Sequence, residues 1–316
     1  MRQPQAVPSL RVGGRHLQHQ HVDAQCTAAD VRAAKPAALS RTCEALTGRI
    51  GALTSTRITS LTTVAAGTLK VGGQDIASHC LVTGAMHERT SAVDGKAYAI
   101  GFEMRLPVAW NGRFLYQANG GLDGAVAPAV GAFGGGPVTN ALHQGFAVIS
   151  SDAGHAGPTD FSFGIDPQAR LDYGYQAVGK LTPMAKAVIS AAYGKGPDRS
   201  YIGGCSNGGR HAMVAAARYP DQYDGYLAGA PGFNLPKSSL YSISKGQKYL
   251  TVATNPADLS TAFTPAERST VATAVLARCD VTARSTVWCR TPRPARPPSI
   301  CSATSRPAPA RVTAAA

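Results

Sequence analysis

The chain has 316 residues, 44% of them hydrophobic, and a formal net charge of +13, which suits one large core with room for a subdomain. No stretch approaches the roughly 20 apolar residues of a membrane span, so no membrane partner is expected. The charge lies at the ends: residues 1–50 carry seven basic and three acidic side chains, residues 281–316 carry six arginines and no acid, and the middle is nearly balanced.

Met1 to Gln25 is rich in Gln, His and Arg, has no apolar core and does not read as a signal peptide. Residues 1–42 are expected to form a basic, disordered segment, in which His16, His19 and His21 have at most fortuitous metal affinity. From Cys43 to Ala97 short alternating runs such as Ile58 to Val64, punctuated by Gly67 and Gly72-Gly73, predict a β-rich portion. Ala97 to Pro107 alternates and stops at proline. Arg113 to Gln117 is a strand running into the glycine-rich turn Asn119-Gly120-Gly121-Leu122-Asp123-Gly124. Such a turn lets a main-chain N–H approach a substrate, because no side chain intervenes. The cluster Gly131 to Gly136 lacks a following Lys-Ser/Thr and reads as a surface loop rather than a phosphate loop.

Gly145 to Asp152 is nearly continuous in apolar residues, as at the centre of a parallel sheet, and Asp152 and His155 follow at its C-terminal end. Lys180 to Tyr193 has helical spacing of Leu181, Met184, Ala185, Val188 and Ala192. Ser200-Tyr201-Ile202 then leads into Gly203-Gly204-Cys205-Ser206-Asn207-Gly208-Gly209-Arg210. Gly204 and Gly208 flank Ser206 at the Gly-x-Ser-x-Gly spacing of a nucleophile elbow, in which the serine sits on a tight strand-to-helix turn that leaves no room for bulk two residues either side. In a chain with 34 glycines the same spacing also arises in an ordinary Gly/Ser turn. Context favours the elbow: a helix to Arg218 follows, and then a strand at Gly225 to Gly229. From Leu235 to Ala277 the chain turns helical and more polar, with a helix start at Thr264-Pro265-Ala266-Glu267. Val281 to Ala316, with six prolines and six arginines, is expected to be disordered.

Cys26, Cys43, Cys80, Cys205, Cys279, Cys289 and Cys301 form no Cys-x-x-Cys pair, which argues against a zinc or redox motif. Their wide spacing suits isolated disulfides in an exported enzyme, or buried free thiols in a cytosolic one.

Arg105-Leu106-Pro107 with Trp110 to Phe114, the Gly120-Gly121 loop, Asp152-Ala153-Gly154-His155, Gly203 to Arg210, and Arg218-Tyr219-Pro220 with Asp224-Gly225 occur together in one order. In these motifs the segment from about Cys43 to Asn234 resembles the tannase and feruloyl esterase family, which includes mono(2-hydroxyethyl) terephthalate hydrolase. The resemblance implies an α/β fold: an α/β-hydrolase core with its later strands missing, over residues 43–234, and the start of an inserted lid domain over 235–280. It implies a serine carboxylic ester hydrolase acting on small-molecule esters of aromatic acids, with Ser206 as nucleophile and a downstream His and Asp completing the triad. It further suggests oxyanion N–H groups at Gly121 and Asn207, a Cys43–Cys80 disulfide, and Cys205 as half of a second disulfide whose partner lies beside the catalytic histidine. By resemblance His155 belongs to a structural turn; His211, beside the elbow helix, is equally weak as a base. Secretion or a periplasmic location is the family expectation, and no cofactor is needed for catalysis.

A family calcium loop begins at the cysteine corresponding to Cys279. Only Cys279-Asp280 matches, which leaves Asp280 as a remnant ligand, since no carboxylate follows it. Read two nucleotides out of phase, the codons from Asp280 through Arg296 could encode that loop, so residues 281–316 are expected to be an out-of-frame tail. The triad Asp and His would then be absent and the chain weakly active or inactive. The second reading is a non-catalytic module binding nucleic acid or another polyanion through its basic ends. Those ends almost lack aromatic residues and show no recognition motif, so no nucleic-acid partner is expected; no feature specifies an oligomeric state.

Overall fold

A computed structural model describes residues 33–50, 52–132 and 140–279. The chain divides between Phe233 and Asn234. The first unit contains β1 (Ala37–Ala38), α1 (Thr47–Ile50), β2 (Thr56–Val64), β3 (Lys70–Val71), β4 (Gln74–Asp75), β5 (His79–Thr90), β6 (Ala97–Pro107), β7 (Ala109–Trp110), β8 (Arg113–Ala118), β9 (Ala147–Ser151), α2 (Pro167–Leu171), α3 (Ala177–Tyr193), β10 (Arg199–Cys205), α4 (Asn207–Arg218) and β11 (Gly225–Gly229).

Seven strands form one sheet in the order β11-β10-β8-β9-β6-β5-β2. β2, β5 and β6 pair antiparallel in succession as a meander, the six residues between β5 and β6 being too few for a parallel crossover. The other four strands run parallel. β9 is the central strand and all five of its residues are buried. The parallel surroundings expected for it hold on the β8 side only; against β6 it is antiparallel, because the meander delivers β6 in the opposite direction. The result is an α/β fold with a mixed sheet. Its core gathers Phe102, Met104, Phe114 and Ile149 from the strands and Leu181, Val188 and Ile189 from α3.

The helix expected at 180–193 begins earlier. α2 passes through one π-helical turn, Asp172–Gln176, into α3. Asp166 starts this run by accepting from the Ala169 N–H at 2.6 Å and from the Arg89 guanidinium in a fork, which holds its carboxyl well below the usual carboxylate range. A second correction concerns the N-terminal segment, expected to be disordered as far as residue 42. Residues 33–42 are already ordered: β1 pairs antiparallel with β7, and the Lys35 N–H donates to Asp198 at 2.8 Å. Tertiary partners far along the chain fix what local composition leaves free.

The second unit has α5 (Leu235–Leu250) and α6 (Pro265–Cys279). α6 starts as its sequence predicts: the Thr264 N–H donates to Glu267 at 2.8 Å, and the Glu267 N–H to the Thr264 hydroxyl at 3.3 Å, a reciprocal capping box. Asp280, the 281–316 tail and residues 1–32 lie outside the described residues. No helix of the described residues is long and apolar enough to cross a membrane.

Cys43 and Cys80 form a disulfide that closes a loop of 37 residues and ties the turn before α1 to β5 inside the core. Chain entropy for such a loop corresponds to about 3–4 kcal/mol. Cys43→Ser is expected to lower the free energy of unfolding in urea by about 2–4 kcal/mol, and wild-type protein under reducing conditions should show the same loss.

Candidate active site

The elbow is built where three backbones meet. β10 ends at Cys205, and α4 begins at Asn207. Between them Ser206 has φ 59° and ψ −119°, a left-handed conformation that a non-glycine residue holds only when its surroundings enforce it. They do so through hydrogen bonds to the end of β11: the Ser206 N–H donates to the Gly229 carbonyl at 3.0 Å, and the Gly232 N–H to the Ser206 carbonyl at 2.9 Å. Cβ atoms at Gly204 or Gly208 would collide with the Ala118 carbonyl oxygen, and one at Gly209 would lie 2.5 Å from the Gly229 carbonyl oxygen. The three glycines therefore permit β8, β10, α4 and β11 to close together. Ser206 and Cys205 are left exposed at the tip while Asn207, Gly208 and Gly209 are buried.

The turn after β8 lies alongside. Its Asp123 N–H donates to the Gly120 carbonyl at 3.3 Å, with Gly121 at φ 64° and Asp123 at φ 58°. A Cβ on Gly120 would sit 3.6 Å from the Cys205 carbonyl, so the turn abuts the elbow, and Gly120 and Gly121 are exposed there. The Asn119 amide anchors the turn's start to the end of β9, donating to the Ser150 hydroxyl at 3.0 Å and the Ser151 carbonyl at 2.9 Å.

Behind the elbow is a buried polar cluster that the sequence did not reveal. The Asp123 carboxylate accepts from the Asn207 amide at 2.6 Å and from His211 Nε2 at 2.8 Å. The Arg210 Nε donates to the Asn207 side-chain Oδ1 at 2.7 Å, and its other nitrogens to the main-chain carbonyls of Gly174 and Tyr173 at 3.1 Å. The π turn thereby grips the first turn of α4. His211 thus serves the elbow from inside, consistent with its poor standing as a base. His155 is also internal, 1% exposed, its ring stacked on Phe163 at 3.7 Å. Burial pushes its pKa down, against the pull of Asp123 and the Leu122 backbone. Among the described residues no imidazole hydrogen-bonds to the Ser206 hydroxyl, and no side chain pairs with Cys205.

Asp152 sits at the end of β9, accepting on one carboxylate oxygen from Gly101 and Gly154 N–H groups at 3.0 and 2.8 Å. Burial pushes its pKa up to about 7; those two donors oppose the shift and the Asp123 charge adds to it.

Elsewhere, a polar groove of about 690 Å³ is lined by Arg57, His87, Arg89, Lys180 and their neighbours. Its three cations are already paired, with Glu88, Asp166 and Asp172, and it contains no activated nucleophile. Among the described residues no group of three or more His, Cys, Asp or Glu could hold a metal. The donors after Asp280 do not fit a calcium loop either, since no carboxylate follows to the end of the sequence.

An exposed serine on a strained strand-to-helix turn, with a glycine turn beside it and the parallel strands of a mixed sheet beneath, defines the chain as an α/β protein of the hydrolase type. A family model described as tannase and feruloyl esterase matches residues 80–286; the chain belongs to that family. It is 43% identical over 170 residues to mono(2-hydroxyethyl) terephthalate hydrolase of Piscinibacter sakaiensis, across 51% of this chain and 28% of that protein. It is 36% identical over 178 residues to a protein described as probable feruloyl esterase B-1 of Neosartorya fischeri, across 56% and 32%. The crystal structure of feruloyl esterase B from Aspergillus oryzae superposes with a TM-score of 0.60 at 28% identity, covering 76% of this chain and 46% of that one. The chain thus spans about a third of the length of the curated relatives it matches.

Two outcomes follow from this geometry. Alanine at a helical position such as 208 would ordinarily gain about 1 kcal/mol over glycine. Here the collision is with backbone, which no rotamer change relieves, so Gly208→Ala should instead lose about 2 kcal/mol or more, read from the urea midpoint. For Asp152 the folded pKa, about 7, lies above the unfolded one, so its cost to stability is absent below about pH 4, grows between about 4 and 7, and levels off above 7. Asp152→Asn keeps an acceptor for both N–H groups and removes that cost. Its melting temperature should exceed wild type at pH 8, by a margin that vanishes towards pH 4.

Proposed function

We propose that this chain carries the nucleophile and oxyanion site of a carboxylic ester hydrolase of the tannase and feruloyl esterase type. The observation that carries the reading is Ser206 itself, exposed at φ 59° at the N-terminus of α4 beside the Gly121 turn. The Ser206 hydroxyl would attack the ester carbonyl, forming the Oγ–C bond as the carbonyl π pair moves onto oxygen and the serine proton passes to the triad base or, without one, to water. The resulting oxyanion would be held by the main-chain N–H groups of Gly121 and Asn207, one from a side-chain-free turn and one from the first turn of a helix whose dipole favours negative charge. Collapse of the tetrahedral species expels the alcohol and leaves an acyl-enzyme on Ser206, which water hydrolyses to the acid.

Esters of aromatic acids are the substrate class we favour, because feruloyl and terephthalate esters, which name the relatives above, share an aromatic acyl group. The disulfide Cys43–Cys80 supports assembly in an oxidising compartment, and with it export. We read residues 235–280 as the start of a lid domain. The downstream His and Asp of the triad have no candidates in residues 281–316, which contain neither residue type.

With no described imidazole on Ser206, the 316-residue chain should turn over p-nitrophenyl or feruloyl esters barely above background, since loss of a triad base leaves only the residual catalysis of binding and oxyanion stabilisation. Its serine should still be phosphonylated, slowly, by a p-nitrophenyl alkylphosphonate. Peptide mass spectrometry is expected to place the adduct on Ser206 and to find none in Ser206→Ala. Modification elsewhere, or robust turnover that survives Ser206→Ala, would overturn the assignment.

A further inference from the structure

Asp123 holds a left-handed backbone, φ 58°, at the end of the turn that contains Gly121. Its side chain, 2% exposed, reaches across to α4, where it accepts from the side chain of Asn207 and from His211 one turn further on. His211 Nε2 must carry the proton, because Asp123 is the acceptor facing it. The nearby Arg210 and Asn207 nitrogens, 3.2 and 3.4 Å away, are therefore close neighbours and not donors to that atom. The opposite nitrogen, Nδ1, is buried and has no hydrogen-bond partner among the described residues. Neither nitrogen of His211 is thus free to exchange a proton with an ester at Ser206.

We propose that Asp123 and His211 are positioning residues that hold the two oxyanion donors in register. This rests on the assignment of Gly121 and Asn207 given above. Those donors belong to separate stretches of chain, the turn after β8 and the start of α4. Asp123 is two residues from one donor and is bonded to the side chain of the other. His211 fixes the direction of that carboxylate, as the second group on a buried acid must if the acid is to hold one geometry. Two hydrogen bonds to one buried carboxylate can maintain the left-handed Asp123 against the strain of that conformation. Without them the turn has reason to relax, and Gly121 would move with it.

The test uses the full 316-residue protein and a p-nitrophenyl alkylphosphonate. Attack by the Ser206 hydroxyl forms an O–P bond, releases p-nitrophenolate, gives the serine proton to solvent, and leaves a phosphoryl oxygen in the oxyanion position. His211→Ala should lower the saturating phosphonylation rate about 10- to 100-fold, the scale of a donor displaced by roughly 1 Å, without changing the half-saturating reagent concentration. His211→Gln, whose amide can donate to Asp123, should recover most of the rate. A folded His211→Ala protein that reacts at the wild-type rate overturns the proposal. If that variant does not fold, the isosteric Asp123→Asn carries the same comparison. If wild-type Ser206 does not react at all, the nucleophile assignment fails separately and amide spectra judge the pair. Gly121 and Asn207 N–H resonances that shift together in Asp123→Asn support the coupling, and unchanged resonances refute it.

Discussion

The Ala118 carbonyl oxygen lies 2.3 and 2.2 Å from where Cβ atoms on Gly204 and Gly208 would stand. β8, β10 and the first turn of α4 consequently approach at backbone contact, closer than any side chain allows. That approach exposes Ser206 at the crest of a turn, buries Asn207 behind it, and brings the glycine turn after β8 against Cys205. The arrangement stores strain at Ser206. Hydrogen bonds from the end of β11 and the packed sheet below hold it in place, so the strained residue is an outcome of tertiary closure and not of local preference.

The sheet supplies the rigidity. Its central strand, β9, is buried along its length, and the turns that follow β8, β9 and β10 emerge on one side, where α/β sheets assemble their sites. Asn119 ties the first of these turns to the end of β9, and Arg210 ties α4 to the π turn before α3. Polar groups withdrawn from water in this region are expensive unless each finds a partner. Asp123 answers that requirement with Asn207 and His211, whereas Asp152 meets it with two backbone N–H groups and a raised pKa.

Much of the fold was legible from residues alone. The alternation of Ile58 to Val64 and Ala97 to Pro107, the apolar run at Ala147 to Ser151 and the cap at Thr264 each led to the element found, because period and capping act within a few residues. The early start of the α2–α3 run, the antiparallel β6–β9 contact and the order of residues 33–42 were not legible. Each depends on partners far away in sequence: Arg89 for Asp166, the meander for β6, and Asp198 for Lys35. Within the site the same division holds. Ser206 declares itself through flanking glycines, but Asp123 does not, since an aspartate in a Gly-rich turn looks like any polar turn residue until Asn207 and His211 are placed opposite it.

The sequence by itself determined the kind of site, because the missing side chains at Gly204, Gly208 and Gly209 are written in the chain and allow a serine to stand on a strand-to-helix turn. Only the tertiary structure decided what surrounds that serine. Asp123 and His211, 88 residues apart, meet because parallel strands β8 and β10 lie side by side, and a hydrogen bond formed by strand pairing leaves no mark on the residues that make it.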